Sequence, residues 1–247
     1  MMTMDVIDYQ VFGDDMQYVE VELGPGEAAV GEAGALYYMQ DGIAMDTVFG
    51  DGSDCGGVLG SLLGAGKRLL GGASLFTTVF ANQADGRRRL AFAAATPGKI
   101  VPLHLLELGG VLYAQKDSFL AGAKGVSLGL AWQRRIGAGL FGGEGFVMQK
   151  LEGDGYVFLH AGGALTEMQL RPGEVLRVDA GCVAAYQPGV DFDIEYVGKL
   201  KSALFGGEGL FFAKLTGPGR VWLQSLPLAR LADRLAAAAP RAGGESK

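Results

Sequence analysis

Two histidines, His104 and His160, and two cysteines, Cys55 and Cys182, are all the imidazoles and thiols that 247 residues provide. Nucleophilic catalysis needs a nucleophile within hydrogen-bond reach of a base, and a structural zinc needs His and Cys ligands at short, regular spacing. These four residues stand at unrelated positions, so neither pattern is present. His160 closes the apolar run "GYVFLH" and reads as a polar strand end; His104, in "KIVPLHLLEL", reads the same way. Asp46, Asp51 and Asp54 crowd the stretch "DTVFGDGSDCGG". A calcium loop would need acids at alternate positions and a closing Glu, so this is expected to be a solvated loop. "SLLGAGKR" (61–68) ends like a phosphate loop, but Ser61 replaces its first glycine and Arg68 its magnesium-binding Ser or Thr. "GAGLFG" (137–142) fits G-x-G-x-x-G in a chain with 42 glycines, with no βαβ unit around it. No catalytic, cofactor-binding or metal-binding residue is assigned, and neither enzymatic activity nor a cofactor is expected.

Two charged patterns are more informative because they recur. Gly142, Gly143, Glu144 and Gly145 reappear as Gly206, Gly207, Glu208 and Gly209. A carboxylate beside paired glycines can satisfy backbone donors in a tight bend. Just ahead of each Gly-Gly lies a basic pair: Lys67 and Arg68 before Gly71 and Gly72, Arg134 and Arg135 before Gly142, Lys199 and Lys201 before Gly206. Leucines, Ile136, Phe141 and Phe205 flank these cations. Cations interleaved with apolar side chains suit anionic lipid headgroups or an acidic partner.

The elements that carry these patterns repeat too. "LFGGEGFVMQKLEGDGYVFL" (140–159) and "LFGGEGLFFAKLTGPGRVWL" (204–223) are identical at twelve of twenty positions. "LLGGASLFTTVFANQADGRRRLAFAA" (69–94) is a fainter third copy, with Ala73 and Ser74 in place of Glu-Gly. "GPGEAAVGEAGALYYMQDGIAMD" (24–46) aligns without a gap on "RPGEVLRVDAGCVAAYQPGVDFD" (171–193), and "LGGVLYAQKDSFLAGAKGVSLGL" (108–130) is their third member. The chain therefore divides into unit one (1–95, with an insertion at 49–68), unit two (96–160), unit three (161–225) and a C-terminal segment (226–247). Within the units, "YQVFG", "YVEVEL", "GYVFLH" and "RVWLQ" have strand patterning. Asp85-Gly86 and Asp154-Gly155 suit hairpin turns with positive φ, and Pro218-Gly219 a type II turn or looser loop. Helix is expected once, in "PLARLADRLAAAAP": Pro227 opens it, Leu228, Leu231 and Leu235 share a face, and Pro240 stops it. The expected fold is all-β: three β-sandwich units around a pseudo-threefold axis, packed as one globule, plus a short C-terminal helix.

Composition bounds the partners. The chain is 49% hydrophobic and 19% charged, below the roughly 25% charged of an average soluble domain, which favours surfaces buried by self-association. A net charge of −6 disfavours nucleic acid, whose phosphates need a positive footprint. Two distant cysteines fit a reducing compartment. The acidic N-terminus is unlike a signal peptide, and no apolar run has spanning length. A cytoplasmic chain, peripheral to a membrane at most, is expected. The apolar stretch "GGVLGSLLGAG" (Gly56–Gly66) is expected in an oligomer interface, over a cavity or against a membrane.

"SFLAGAKGVSLGL", "GLFGGEGFVMQKLEGDGYVFLHAGG" and "LPLARLADRL" resemble the bacterial branch of an uncharacterised family. That family includes a mitochondrial inner-membrane biogenesis protein named for altered inheritance of mitochondria. The resemblance covers almost the whole chain. It implies a double-stranded β-helix related to the tryptophan RNA-binding attenuation protein, repeated three times, and assembly into oligomers; it implies no reaction. The function expected is a non-enzymatic, self-associating β scaffold, peripheral to the cytoplasmic face of a membrane. Its alternative is a ligand- or RNA-binding module by analogy with the attenuation-protein fold.

Overall fold

The computed structural model describes residues 7–32, 34–49, 76–134, 146–196 and 211–238. In chain order the strands are β1 (Asp8–Phe12), β2 (Tyr18–Leu23), β3 (Ala28–Glu32), β4 (Leu36–Met39), β5 (Ile43–Phe49), β6 (Phe76–Asn82), β7 (Arg88–Ala93), β8 (Gly98–His104), β9 (Val111–Gln115) and β10 (Phe119–Ala123). They continue with β11 (Ser127–Arg134), β12 (Phe146–Glu152), β13 (Tyr156–Gly162), β14 (Leu165–Leu170), β15 (Val175–Asp179), β16 (Val183–Tyr186), β17 (Asp191–Tyr196), β18 (Phe211–Thr216) and β19 (Gly219–Gln224). One helix, α1 (Leu228–Ala238), follows. The fold is thus mostly β, with a short C-terminal helix.

Four antiparallel sheets result, ordered β1-β2-β7-β4, β5-β6-β3-β10-β13-β8, β11-β12-β9-β16-β19-β14 and β15-β18-β17. Strand patterning follows from which faces are covered. In β2, Val19, Val21 and Leu23 are fully buried while Tyr18, Glu20 and Glu22 alternate outward, as a half-covered strand requires. In β10 every residue is buried, so "FLAGA" has no polar face. Small residues let β10 meet β3: Ala121 pairs with Gly31, Gly122 with Val30 and Ala123 with Ala29. A Cβ on Gly31 would lie 2.5 Å from the Phe92 ring, so only glycine fits that close approach.

Four strands carry a register shift: β11 between Leu130 and Trp132, and three others at one equivalent place. Register shifts fall between Leu36 and Tyr38 in β4, Phe119 and Ala121 in β10, and Val183 and Ala185 in β16. Each bulge bends its strand locally. One apolar core runs through β2, β3, β7, β8, β10 and β13 and reaches Ala184, Ala185 and Trp222. A second gathers Phe146, Met148, Tyr186, Ile194 and Leu215.

Two expectations need correction. Asp46 lies exposed on β5, in strand and not in a loop, because its neighbours pair in register with β6. Asp85-Gly86 and Asp154-Gly155 do not close hairpins, because β6 and β7 lie in different sheets, as do β12 and β13; neither glycine has positive φ, and in the second connection Gly153 takes it. The first connection is held instead by the side chain of Asn82. Its Nδ2 donates to the carbonyls of Leu23, Gly24 and Gly86, and its Oδ1 accepts from Ala84 N–H. With those bonds in place the loop does not need a left-handed residue.

Candidate functional site

Most residues singled out from the sequence lie outside the described residues: Lys67, Arg68, Arg135, Lys199 and Lys201, the glycines 71, 72, 142, 143, 145, 206, 207 and 209, and Glu144 and Glu208. So do Cys55, Asp51, Asp54 and the Gly56–Gly66 stretch. Arg134 closes β11. His104, His160 and Cys182 are placed, and they do not converge. The His104 ring packs on Tyr156, with centroids 4.7 Å apart, and its Nδ1 lies 3.9 Å from Glu107. Cys182 sits in a 3-10 turn, Ala180–Cys182; desolvation first, then the Asp179 charge, pushes its thiol up. A raised thiol is a poor nucleophile at neutral pH.

His160 belongs to a different setting. It is buried on β13 and lines a cleft of about 210 Å³ whose walls come from β3, β7, β9, β10, β13, β19 and the start of α1. Burial lowers its imidazole below the ordinary value, while a hydrogen bond to the Thr96 backbone acts the other way. Its Nε2 has no hydrogen-bond partner. Gln115 and Gln224 form the polar floor: Gln224 Nε2 donates to Gln115 Oε1 at 2.9 Å and to the Gly181 carbonyl at 3.0 Å. Gln224 Oε1 accepts from Gly162 N–H at 2.9 Å. One amide therefore ties β9, β13, β19 and the 3-10 turn together, as a fully satisfied buried polar group can.

Glu32 and Asp117 also line the cleft, and both are exposed. Desolvation by the surrounding walls, and then the Asp117 charge, push the Glu32 carboxyl up to about 7, with Lys116 opposing. Near neutrality the cleft thus offers a half-protonated carboxyl and a neutral imidazole. Both are polar groups that a ligand in the cleft could meet. The cleft lining includes no cysteine or serine, and among the described residues no group of three or more His, Cys, Asp or Glu could hold a metal ion.

Sequence reasoning missed Glu32 and Gln115, and read Gln224 only as the polar counterpart of His160. A signal existed: the aligned runs "AAVGE", "VLYAQ" and "VLRVD" each end an apolar strand on a polar residue, Glu32, Gln115 or Asp179. Glu32 and Gln115 both line the cleft, whereas Asp179 caps the 3-10 turn by accepting from Gly181 N–H.

The other notable surface is at the sheet ends. Tyr37 and Met39 of β4 and Val175 of β15 are exposed by 61%, 40% and 43%. An aromatic chain leads to β4: Phe12 stacks on Tyr18 at 5.0 Å, Tyr18 meets Tyr37 at 5.3 Å, and Tyr37 meets Tyr38 at 5.4 Å. Tyr38 donates its hydroxyl proton to Glu20, which pushes the phenol up to about 12. No helix among the described residues is long and apolar enough to cross a membrane.

Comparison with known proteins bears on this geometry. The family profile described as mitochondrial biogenesis AIM24 matches residues 9–226. An uncharacterised protein of Streptococcus pyogenes serotype M6 is 30% identical over 220 residues, covering 88% of this chain and 84% of its own. The crystal structure of a Streptococcus pyogenes protein shares the fold with a TM-score of 0.72 at 23% identity, covering 94% of this chain and 100% of that one.

Proposed function

Given that the chain belongs to the AIM24 family, we propose that it is a non-enzymatic, self-associating β scaffold. In this reading it consists of three double-stranded β-helix units related by a pseudo-threefold axis: β2–β7, β8–β13 and β14–β19. The observation that carries the reading is the open apolar and aromatic edge at β4. This short edge strand exposes Tyr37, Tyr38 and Met39 and carries neither the Lys nor the Pro that commonly keeps edge strands apart. Tyrosine and methionine are instead enriched where protein surfaces meet. Light scattering after size exclusion tests it. The expected mass is a multiple of 25.8 kDa at micromolar concentration, and a clean monomer there overturns the reading.

The second arm of the scaffold reading is a membrane-peripheral surface made of Lys67, Arg68, Arg134, Arg135, Lys199 and Lys201 with their apolar neighbours. It rests on sequence pattern. Flotation with anionic and neutral vesicles at low salt tests it: anionic vesicles should carry the protein up, and charge reversal at Arg134, Arg135, Lys199 and Lys201 should abolish that. Failure to float with anionic vesicles removes the membrane from the reading and leaves self-association standing.

The cleft favours a second reading, a module that holds a small polar ligand against Glu32 and the Gln115–Gln224 floor. Nucleic acid is disfavoured by the net charge of −6.

A further inference from the structure

The cleft lies where the three similar stretches of chain differ in charge. Glu32, Gln115 and Asp179 stand at one matching step. Gly31 faces Ala121 and Ala114 faces Ala185, both alanines lying just past the register shift of their strands; Glu32 and Gln115 come next. The gapless match of 24–46 on 171–193 sets Asp179 on Glu32. Two of these side chains are engaged by the protein itself: Gln115 Oε1 accepts from Gln224, and Asp179 Oδ1 from Gly181 N–H, each at 2.9 Å. Among the described residues the Glu32 carboxyl accepts no hydrogen bond. Asp117 is a second departure, standing where the aligned stretches carry Gly34 and Gly181. The repeated backbone forms with a glutamine at the first step and glycines at the second, so it requires neither acid.

Both acids line the cleft, and no Lys or Arg does. Lys116 acts on Glu32 from outside that lining and is the weakest of the influences on it. Gln224 uses both amide hydrogens on Gln115 and Gly181, which leaves it no donor for a ligand. His160, nine-tenths buried in the same wall, bonds the Thr96 backbone through a ring N–H, so its unpartnered Nε2 is an acceptor. The cleft therefore presents negative charge with no cation in its walls. Leu120, Leu226 and Leu228 contribute apolar wall. At about 210 Å³ the space is smaller than the roughly 300–1,000 Å³ of sites for drug-sized ligands. Among the described residues no group of three or more His, Cys, Asp or Glu could hold a metal ion, which points to an organic cation.

We propose that the cleft binds a small organic cation, a primary ammonium on a short alkyl chain, with the ammonium at Glu32 and Asp117 and the chain against Leu120, Leu226 and Leu228. This rests on the ligand-holding reading above and names the ligand's class. An ammonium between the two carboxylates replaces their repulsion with charge-assisted hydrogen bonds. It also favours the ionised form of Glu32, so binding releases the proton that the empty cleft retains. With Glu32 titrating at about 7, affinity should rise about tenfold between about pH 6 and about pH 8, then level off. The ammonium stays charged throughout, since an alkyl amine like that of lysine titrates near about 10.4.

Titration calorimetry at about 0.15 M salt, where surface attraction is screened, tests this with ethyl-, butyl- and hexylammonium chloride. Butanol and sodium butyrate serve as the neutral and anionic counterparts. The expected result is heat from the ammonium ions alone, with the stated rise in affinity with pH. Glu32→Gln should weaken binding about tenfold or more and remove its pH dependence. Asp117→Asn should weaken it too and move the pH midpoint down, because the charge that raises Glu32 is gone. Asp15→Asn, exposed and outside the cleft, should change nothing. Ammonium binding that survives Glu32→Gln unaltered would overturn the proposal by placing the site elsewhere. Butanol or butyrate binding as well as butylammonium, and losing that in Glu32→Gln, would overturn the cation class while leaving the ligand-holding reading intact. Silence from all five compounds would overturn both.

Discussion

At Glu32 two influences push the same way. The cleft walls remove water from the carboxylate and Asp117 repels it, so the group titrates about 7 where an unperturbed Glu titrates at 4.5. Between those values the folded chain keeps a proton that the unfolded chain releases. Stability therefore falls as pH rises through about 4.5 to 7 and levels off above. Water still reaches the carboxyl at the cleft mouth, so the magnitude is modest and the sign is the test. Glu32→Gln should flatten that part of the melting-temperature curve and raise Tm above pH 7 relative to wild type. An unchanged pH profile would mean the group is better solvated than the cleft implies. If the cleft holds a polar ligand, a ligand that raises the wild-type Tm should lose that effect in the same variant.

Among the elements, α1 is held by very few contacts. Arg230 donates to Asp179 Oδ2 at 3.1 Å and to the Ser225 carbonyl at 3.2 Å, while Leu228 and Leu235 stay exposed on the helix. Pro227 supplies the carbonyl that Leu231 N–H bonds, at 3.2 Å. An eleven-residue helix with little burial is marginal by itself, so its docking depends on Arg230. Removing a half-exposed ion pair costs at most about 1 kcal/mol. Arg230→Ala should thus leave the global Tm nearly unchanged but speed amide exchange selectively in residues 228–238. Equal protection in the variant would show that another contact holds the helix.

For the whole molecule, sharing of sheets across sequence boundaries is decisive. Both six-stranded sheets combine strands from distant stretches, and the larger core draws Trp222 and Ala185 together with Val19 and Leu90. Gln224 bridges residues 115, 162 and 181 in one hydrogen-bonded set. Breaking one stretch exposes apolar faces of the next, so unfolding should be cooperative. Calorimetry at a fixed protein concentration should record a single transition. Separate transitions would show that the stretches fold as independent domains.

The alternating "YVEVEL", the apolar "GYVFLH" and the Pro227-led helix could be read from sequence because burial on one face, on two faces or along a stripe each leaves its own local period. The repeated Gly-Gly-Glu-Gly and basic segments were equally legible, yet they lie outside the described residues, and their role rests on pattern alone. The turn chemistry at Asp85-Gly86 was misread because Asn82 supplies from the side chain what a left-handed glycine would supply from the backbone. The cleft was missed because Glu32, Gln115, His160 and Gln224 are far apart in sequence and meet only through strand pairing. By itself the sequence determined the strands, the family and the periodicity, all properties of local pattern and similarity. Which strands share a sheet was decided by tertiary structure, because pairing brings together stretches far apart in sequence, and no local period encodes that.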